Sequence, residues 1–229
     1  MADAQVQTPA GEIRAALEIP TGTGPWPGVV VLHDAIGFGD DIRGIARRIA
    51  DAGFLALAPD LYSRGGALRC TRTVFRDLIR REGRTVDDIV AAREHLAARP
   101  DCNGKVAVAG FCLGGGFALI VSPKGFDAAA PFYPSLPSSF EKVVDGACPI
   151  VASFGSRDPI NIGGEKKLRA ALDARGIEHD LETYDGAGHG FANKLPGEQF
   201  TRIVGFGYDE QATEQAWSRV FAFFGTHLN

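Results

Sequence analysis

Three short segments carry residues whose types and spacing suit acyl-transfer chemistry. The first, Gly110-Phe111-Cys112-Leu113-Gly114-Gly115-Gly116, follows the apolar run KVAVA and opens a stretch able to continue as a helix. A strand, a sharp turn and a helix are the context that a G-x-nucleophile-x-G elbow requires. A thiol at that turn sits at a helix N-terminus, whose partial positive charge favours thiolate. The blander reading is a glycine-rich turn around an inert buried cysteine. The second segment, Ser153-Phe154-Gly155-Ser156-Arg157-Asp158-Pro159, ends another apolar run. Asp158 could orient an imidazole there, or simply cap the helix that follows. The third, Tyr184-Asp185-Gly186-Ala187-Gly188-His189-Gly190-Phe191, places His189 in a glycine-rich loop rather than on a helix face. Nucleophile, acid and histidine occur in that order at three strand ends, and the joint pattern reads as a Cys112–His189–Asp158 triad.

These loops need elements to hold them. Residues 27–33 (PGVVVLH) form a short β-branched run of the kind buried on both faces of a parallel sheet. Ile42, Ile45, Ala46, Ile49 and Ala50 fall on one helical face, with Gly53 at the expected stop. Strands are expected at 11–19 (pairing with 4–8), 54–58, 105–109, 128–133, 150–154 and 178–184. Helices are expected from a Thr85/Asp88 capping pair to Pro100, at 113–121, at 165–175, and around Ala216, Val220, Phe221 and Phe224. Alternating strands and helices predict an α/β fold, a mostly parallel sheet with helices on both faces and ligand-binding loops along one edge. The 229 residues suit one domain, 1–229, with no linker or repeat dividing it. Glycine is in excess at 29 residues, with clusters at Gly37/Gly39, 110–116 and 186–190, each at a predicted active-edge loop.

The chain resembles the dienelactone hydrolase family, a cysteine-nucleophile branch of the α/β-hydrolases. The resemblance rests on VVVLHDAIGFGDDIR, GFLALAPDLYSR, NGKVAVAGFCLGGG, the Asp158 loop and AGHGFAN, with GFCLGG downstream of PDLY the most specific combination. It implies an α/β-hydrolase fold, Cys112 as nucleophile, His189 as general base and Asp158 as its orienter. It also implies an oxyanion hole made by the backbone N–H groups of Leu113 and Ala35. Two positions depart from the family pattern. Asp34 stands where a glutamate is thought to control thiol ionisation, and Asn193 stands where an arginine helps hold a substrate carboxylate. Asp34 is therefore the candidate thiol-tuning residue, and Asn193 joins Phe111 among the candidate substrate contacts.

A thiolate nucleophile makes an acyl-thioester that His189-activated water would release. A poor alkoxide leaving group lets thiolate depart instead, so enol and phenol esters and strained lactones are the expected substrates. Between Arg64 and Arg84 lie seven arginines (64, 69, 72, 76, 80, 81, 84) against Asp77 and Glu82, in a chain of net charge −4. Hung over the active edge, Arg72, Arg76, Arg80 and Arg81 would attract a carboxylated substrate; the alternative is a solvated helix face or pairing with acids elsewhere. The expected partner is a small-molecule ester or lactone, with no nucleic acid and no membrane, in a monomer or small homo-oligomer. The acidic balance, the lack of a basic-then-apolar start and four unclustered cysteines suggest a cytoplasmic protein. No cofactor is expected: no phosphate-binding glycine motif occurs, and His33 beside Asp34 lacks a third metal ligand. The competing functions are a broader carboxylesterase or thioesterase and a non-catalytic ligand-binding protein of the same fold.

Overall fold

Four strands buried along most of their length make the centre of the molecule. In the computed structural model, which describes residues 2–136, 139–194 and 205–229, they are β3 (Trp26–Leu32), β4 (Leu55–Pro59), β5 (Cys102–Phe111) and β6 (Ala128–Phe132). β7 (Ile150–Gly155) and β8 (His179–Tyr184) extend the sheet on one side, β2 (Ile13–Glu18) and β1 (Ala2–Val6) on the other. The order is β1-β2-β4-β3-β5-β6-β7-β8. β1–β2 and β2–β4 pair antiparallel and every other pair is parallel, so the sheet is mostly parallel as the alternation predicts.

Strand alternation splits the core in two. Val30, Leu32, Val106 and Val108 face α2 (Gly66–Arg80), α3 (Arg84–Ala97), α4 (Leu113–Val121) and α5 (Gly164–Asp173). Val29, Val31, Ala107 and Ala109 face α1 (Asp40–Asp51) and α6 (Glu210–His227). The apolar stripe of α1 packs as its period requires, burying Ile42, Ile45 and Ile49, each worth about 1.5–3 kcal/mol. A charge at Ile49, which is fully buried, would break that contact. Among the described residues no helix is long and apolar enough to cross a membrane.

The arginine-rich stretch is mostly helical, as α2, with Cys70, Val74, Asp77 and Leu78 turned inward. One local reading is corrected. Thr85 and Asp88 do not make a capping pair: α3 starts at Arg84, and its first turn is held by Asp77 of α2. Asp77 Oδ2 accepts the Thr85 N–H at 3.0 Å and the Thr85 hydroxyl at 2.9 Å. Asp88 is taken by Arg64, whose Nη1 donates to its Oδ2 at 2.6 Å while Nη2 reaches Thr8 Oγ1 and the Gly11 carbonyl, each at 2.5 Å. A partner distant in sequence takes each member of the expected pair, the acid Asp77 for Thr85 and the base Arg64 for Asp88, which sequence spacing cannot reveal.

Candidate active site

β5 delivers Cys112 into a turn that an L-residue rarely adopts, with φ 52° and ψ −111°. Such a conformation costs on the order of 1–3 kcal/mol and persists only where surrounding contacts impose it. The Cys112 N–H donates to the Phe132 carbonyl at 3.1 Å, and the Cys112 carbonyl accepts from Gly116 at 3.0 Å and from Ser135 at 2.9 Å. A Cβ at Gly110 would lie 2.1 Å from the Gly114 carbonyl oxygen, so the elbow closes only with glycine there. The half-buried thiol therefore stands over the first turn of α4, and its Sγ lies 3.4 Å from Ser135 Oγ.

Asp158 follows β7 and is buried. Its Oδ1 accepts the backbone N–H groups of Ile160 (2.8 Å) and Asn161 (3.2 Å). Its Oδ2 accepts from Asn161 Nδ2 at 2.9 Å and lies 2.8 Å from His189 Nδ1. Asp158 thus faces the imidazole and closes its own turn; it does not cap the helix that follows, because α5 starts at Gly164 with Gly163 as its N-cap. Burial would raise its carboxyl, but the His189 and Asn161 hydrogen bonds hold it below its ordinary value. Burial would likewise depress the His189 imidazole; Asp158 on one nitrogen and the Cys112 thiol beside the ring override it and push it up to about 9. The other nitrogen, Nε2, is buried and has no hydrogen-bond partner of good geometry among the described residues. The histidine backbone is pinned by His189 N–H to the Gly205 carbonyl (2.7 Å) and Gly207 N–H to the His189 carbonyl (3.1 Å). The rings of Tyr133 and Phe206 meet the imidazole edge-on at 5.1 and 5.5 Å.

Of the two expected oxyanion donors, Leu113 opens α4 and Ala35 lies in the turn after β3. Neither N–H has a hydrogen-bond partner among the described residues. The turn is held by Asp34, whose Oδ1 accepts from Ile36 (2.8 Å) and Gly37 (3.3 Å), and by Tyr62, whose hydroxyl donates to the Ala35 carbonyl at 3.2 Å. Burial raises the Asp34 carboxyl. Its hydrogen bonds serve its own loop, and the thiol's partner is Ser135. His33 is wholly buried, with Nδ1 on the Asp34 carbonyl at 2.7 Å and Nε2 accepting the Leu61 N–H at 3.2 Å, so it joins two loops.

The candidate substrate contacts fare differently. Phe111 is completely buried and stacked on Phe132 at 4.8 Å, on the α1/α6 side of the sheet, so it lines no accessible surface. Asn193 is buried too. Its Oδ1 accepts the Tyr133 hydroxyl and its Nδ2 donates to Asp41 Oδ2, leaving no amide end turned to a substrate. Arg72, Arg76 and Arg80 recur every four residues along the exposed face of α2, with Arg76 also on Asp77 at 2.9 Å. Arg81 is the left-handed C-cap of α2, and the Arg69 side chain lies outside the described residues. Arg64 is committed to Asp88, as the pairing alternative anticipates. Ser135, Tyr133, Asn161 and Tyr62 are the site residues that sequence reasoning misses; only the last glycine of the 110–116 cluster, Gly116, hints at the close approach of residue 135. No group of three or more His, Cys, Asp or Glu side chains that could hold a metal ion occurs among the described residues.

The model of the dienelactone hydrolase family matches residues 13–228. The chain belongs to that family. It is similar to the carboxymethylenebutenolidase of Pseudomonas sp. strain P51, at 30% identity with 80% of each chain covered. It is also similar to that of Pseudomonas putida, at 28% identity with 82% of this chain and 84% of the relative covered. Among solved structures it resembles a dienelactone hydrolase-like promiscuous phosphotriesterase from metagenomic libraries, with TM-score 0.83, 25% identity and coverage of 100% and 99% of the two chains. Fold and family together make the protein a hydrolase of the dienelactone hydrolase type with an α/β-hydrolase architecture.

Proposed function

We propose that the protein hydrolyses a small lactone or activated carboxylic ester through Cys112, His189 and Asp158. The observation that carries the reading is the buried 2.8 Å contact of Asp158 Oδ2 with His189 Nδ1, which leaves Nε2 for the thiol side. With Nδ1–H committed to the carboxylate, Nε2 holds the proton shed by Cys112, consistent with an imidazole pushed up to about 9 beside that sulfur, and the thiolate attacks the acyl carbon. The developing oxyanion is received by the Leu113 and Ala35 N–H groups, neither of which is spent on another described residue. The carbon–oxygen bond of the ester breaks, His189 returns its proton to the leaving oxygen, and an acyl-thioester remains. Water, deprotonated by His189, then releases the acid and the thiol.

Leaving-group chemistry sets the preference. Enolates and phenolates leave more readily than the thiolate and drive acylation forward, whereas an alkoxide returns the enzyme to its start. For a carboxylated substrate, the exposed Arg72, Arg76 and Arg80 stripe acts as a steering field rather than a clamp, because solvated charges attract at range but bind weakly.

The test is trapping. Incubation with p-nitrophenyl acetate followed by rapid acid quench and peptide mapping is expected to show an acetyl group on Cys112. Cys112→Ala is expected to lose both adduct and turnover. An acyl group on any other residue, or equal nitrophenol release by both proteins, overturns the reading.

A further inference from the structure

The segment after β6 is drawn unusually close to the elbow. Tyr133, fully buried, takes φ 35°, in the left-handed region, and its N–H donates to the Ser153 carbonyl at 2.7 Å. The chain then turns so that the Ser135 N–H donates to the Cys112 carbonyl at 2.9 Å. The approach depends on Gly116: a Cβ there would lie 2.3 Å from the Ser135 carbonyl oxygen. The outcome is a half-buried hydroxyl 3.4 Å from the Cys112 sulfur, in a site where Asp34 is engaged with Ile36 and Gly37.

We infer that Ser135 is a catalytic hydroxyl that holds and tunes the Cys112 nucleophile, taking the part that the family resemblance implies for Asp34. The inference rests on Cys112 being the nucleophile. In the resting thiol the Cys112 S–H and the Ser135 O–H share one hydrogen bond, and either donates. Once the thiol proton passes to His189 Nε2, the sulfur can only accept, and the Ser135 O–H turns to donate to the thiolate. No covalent bond is made or broken at Ser135; its hydrogen bond is given up as the sulfur lone pair enters the new carbon–sulfur bond. Hydrogen bonds to ionised groups are roughly twice as strong as neutral ones, so the hydroxyl favours the thiolate over the thiol. The other titratable groups facing the sulfur are His189 and the phenols of Tyr62 and Tyr133, and burial keeps both phenols protonated.

The experiment is the pH dependence of iodoacetamide alkylation at Cys112, read by peptide mapping, alongside kcat/KM for p-nitrophenyl acetate. Burial pushes Cys102 up and Cys148 to about 12, so neither competes near neutrality. Ser135→Ala is expected to move the alkylation midpoint up by about one pH unit, as befits one lost charge-assisted hydrogen bond, and to lower kcat/KM at neutral pH about tenfold. Ser135→Thr and Ser135→Val have the same shape and differ only by the hydroxyl. They keep the comparison valid if alanine perturbs folding, and threonine should rescue where valine does not. Matching profiles for threonine and valine, or a wild-type midpoint in Ser135→Ala, overturn the inference. If Cys112→Ala itself keeps turnover, the parent reading fails instead, whatever the serine variants do.

Discussion

Asn193 Nδ2 lies 2.5 Å from Asp41 Oδ2, joining the histidine-bearing loop to the first turn of α1. Lys194 strengthens the same junction by donating its N–H to Asp41 Oδ1 at 2.8 Å. At the place where the family uses an arginine toward substrate, this chain uses a buried amide to build. Asn193→Ala would take one partner each from the Tyr133 hydroxyl and from Asp41 Oδ2, at about 1–3 kcal/mol in urea denaturation. Asn193→Arg is expected to cost more, because the longer cation does not fit where the amide is buried, and to give no gain in KM for anionic lactones. A stable arginine variant with lowered KM would refute this.

The Asp158–His189 pair makes stability depend on pH in a calculable direction. His189 rises from 6.5 to about 9 on folding, so its contribution is complete below 6.5 and fades as pH climbs through about 9. Asp158 falls below 3.8, so its contribution is complete above 3.8 and fades as pH drops through the depressed value. Asp158→Asn should therefore destabilise most between those limits, and the gap to wild type should shrink at about pH 9.5. Urea titrations of both proteins near pH 6 and about pH 9.5 decide it. A gap that does not change with pH would mean that the contact acts through shape alone.

Gly110→Ala places a methyl group 2.1 Å from a backbone oxygen that cannot yield without opening the elbow. The expected cost exceeds about 3 kcal/mol, in the range reserved for backbone strain and overpacking. Soluble yield and melting temperature report it; a folded, active alanine variant would show that the turn is looser than its contacts imply.

If the α2 arginines steer rather than clamp, their effect must be screened. Raising ionic strength from about 0.01 to about 0.15 M shortens the Debye length from roughly 30 to 8 Å. KM for a carboxylated lactone should rise several-fold across that range while a neutral ester is unaffected, and Arg72→Glu with Arg76→Glu should flatten the dependence. Salt-independent KM for the anion would indicate direct pairing.

What the sequence disclosed was whatever is local. The Cys112, Asp158 and His189 segments each announce themselves because glycine or a strand end must sit within a few residues of the functional group. The alternating runs reveal the sheet for the same reason. Long-range partnerships were opaque. Nothing in Thr85-x-x-Asp88 says that Asp77 will take the first member and Arg64 the second. Ser135 is an ordinary loop serine until β6 lies beside β5 and Gly116 admits its backbone. Phe111 and Asn193 looked available because proximity in sequence to Cys112 and His189 says nothing about which side of the sheet they face.

Arg64 has a mechanical consequence. One guanidinium, mostly shielded from solvent, fastens the hairpin that joins β1 to β2, the start of α3 and the lead into α2. Residues as far apart in the chain as Thr8 and Asp88 thus share a single rivet. Hydrogen exchange should find the amides of β1 and of the first turns of α2 opening together as one sub-global unit, ahead of β5 and β6. The part of the molecule that would present itself to an incoming anion is then also the part first to loosen.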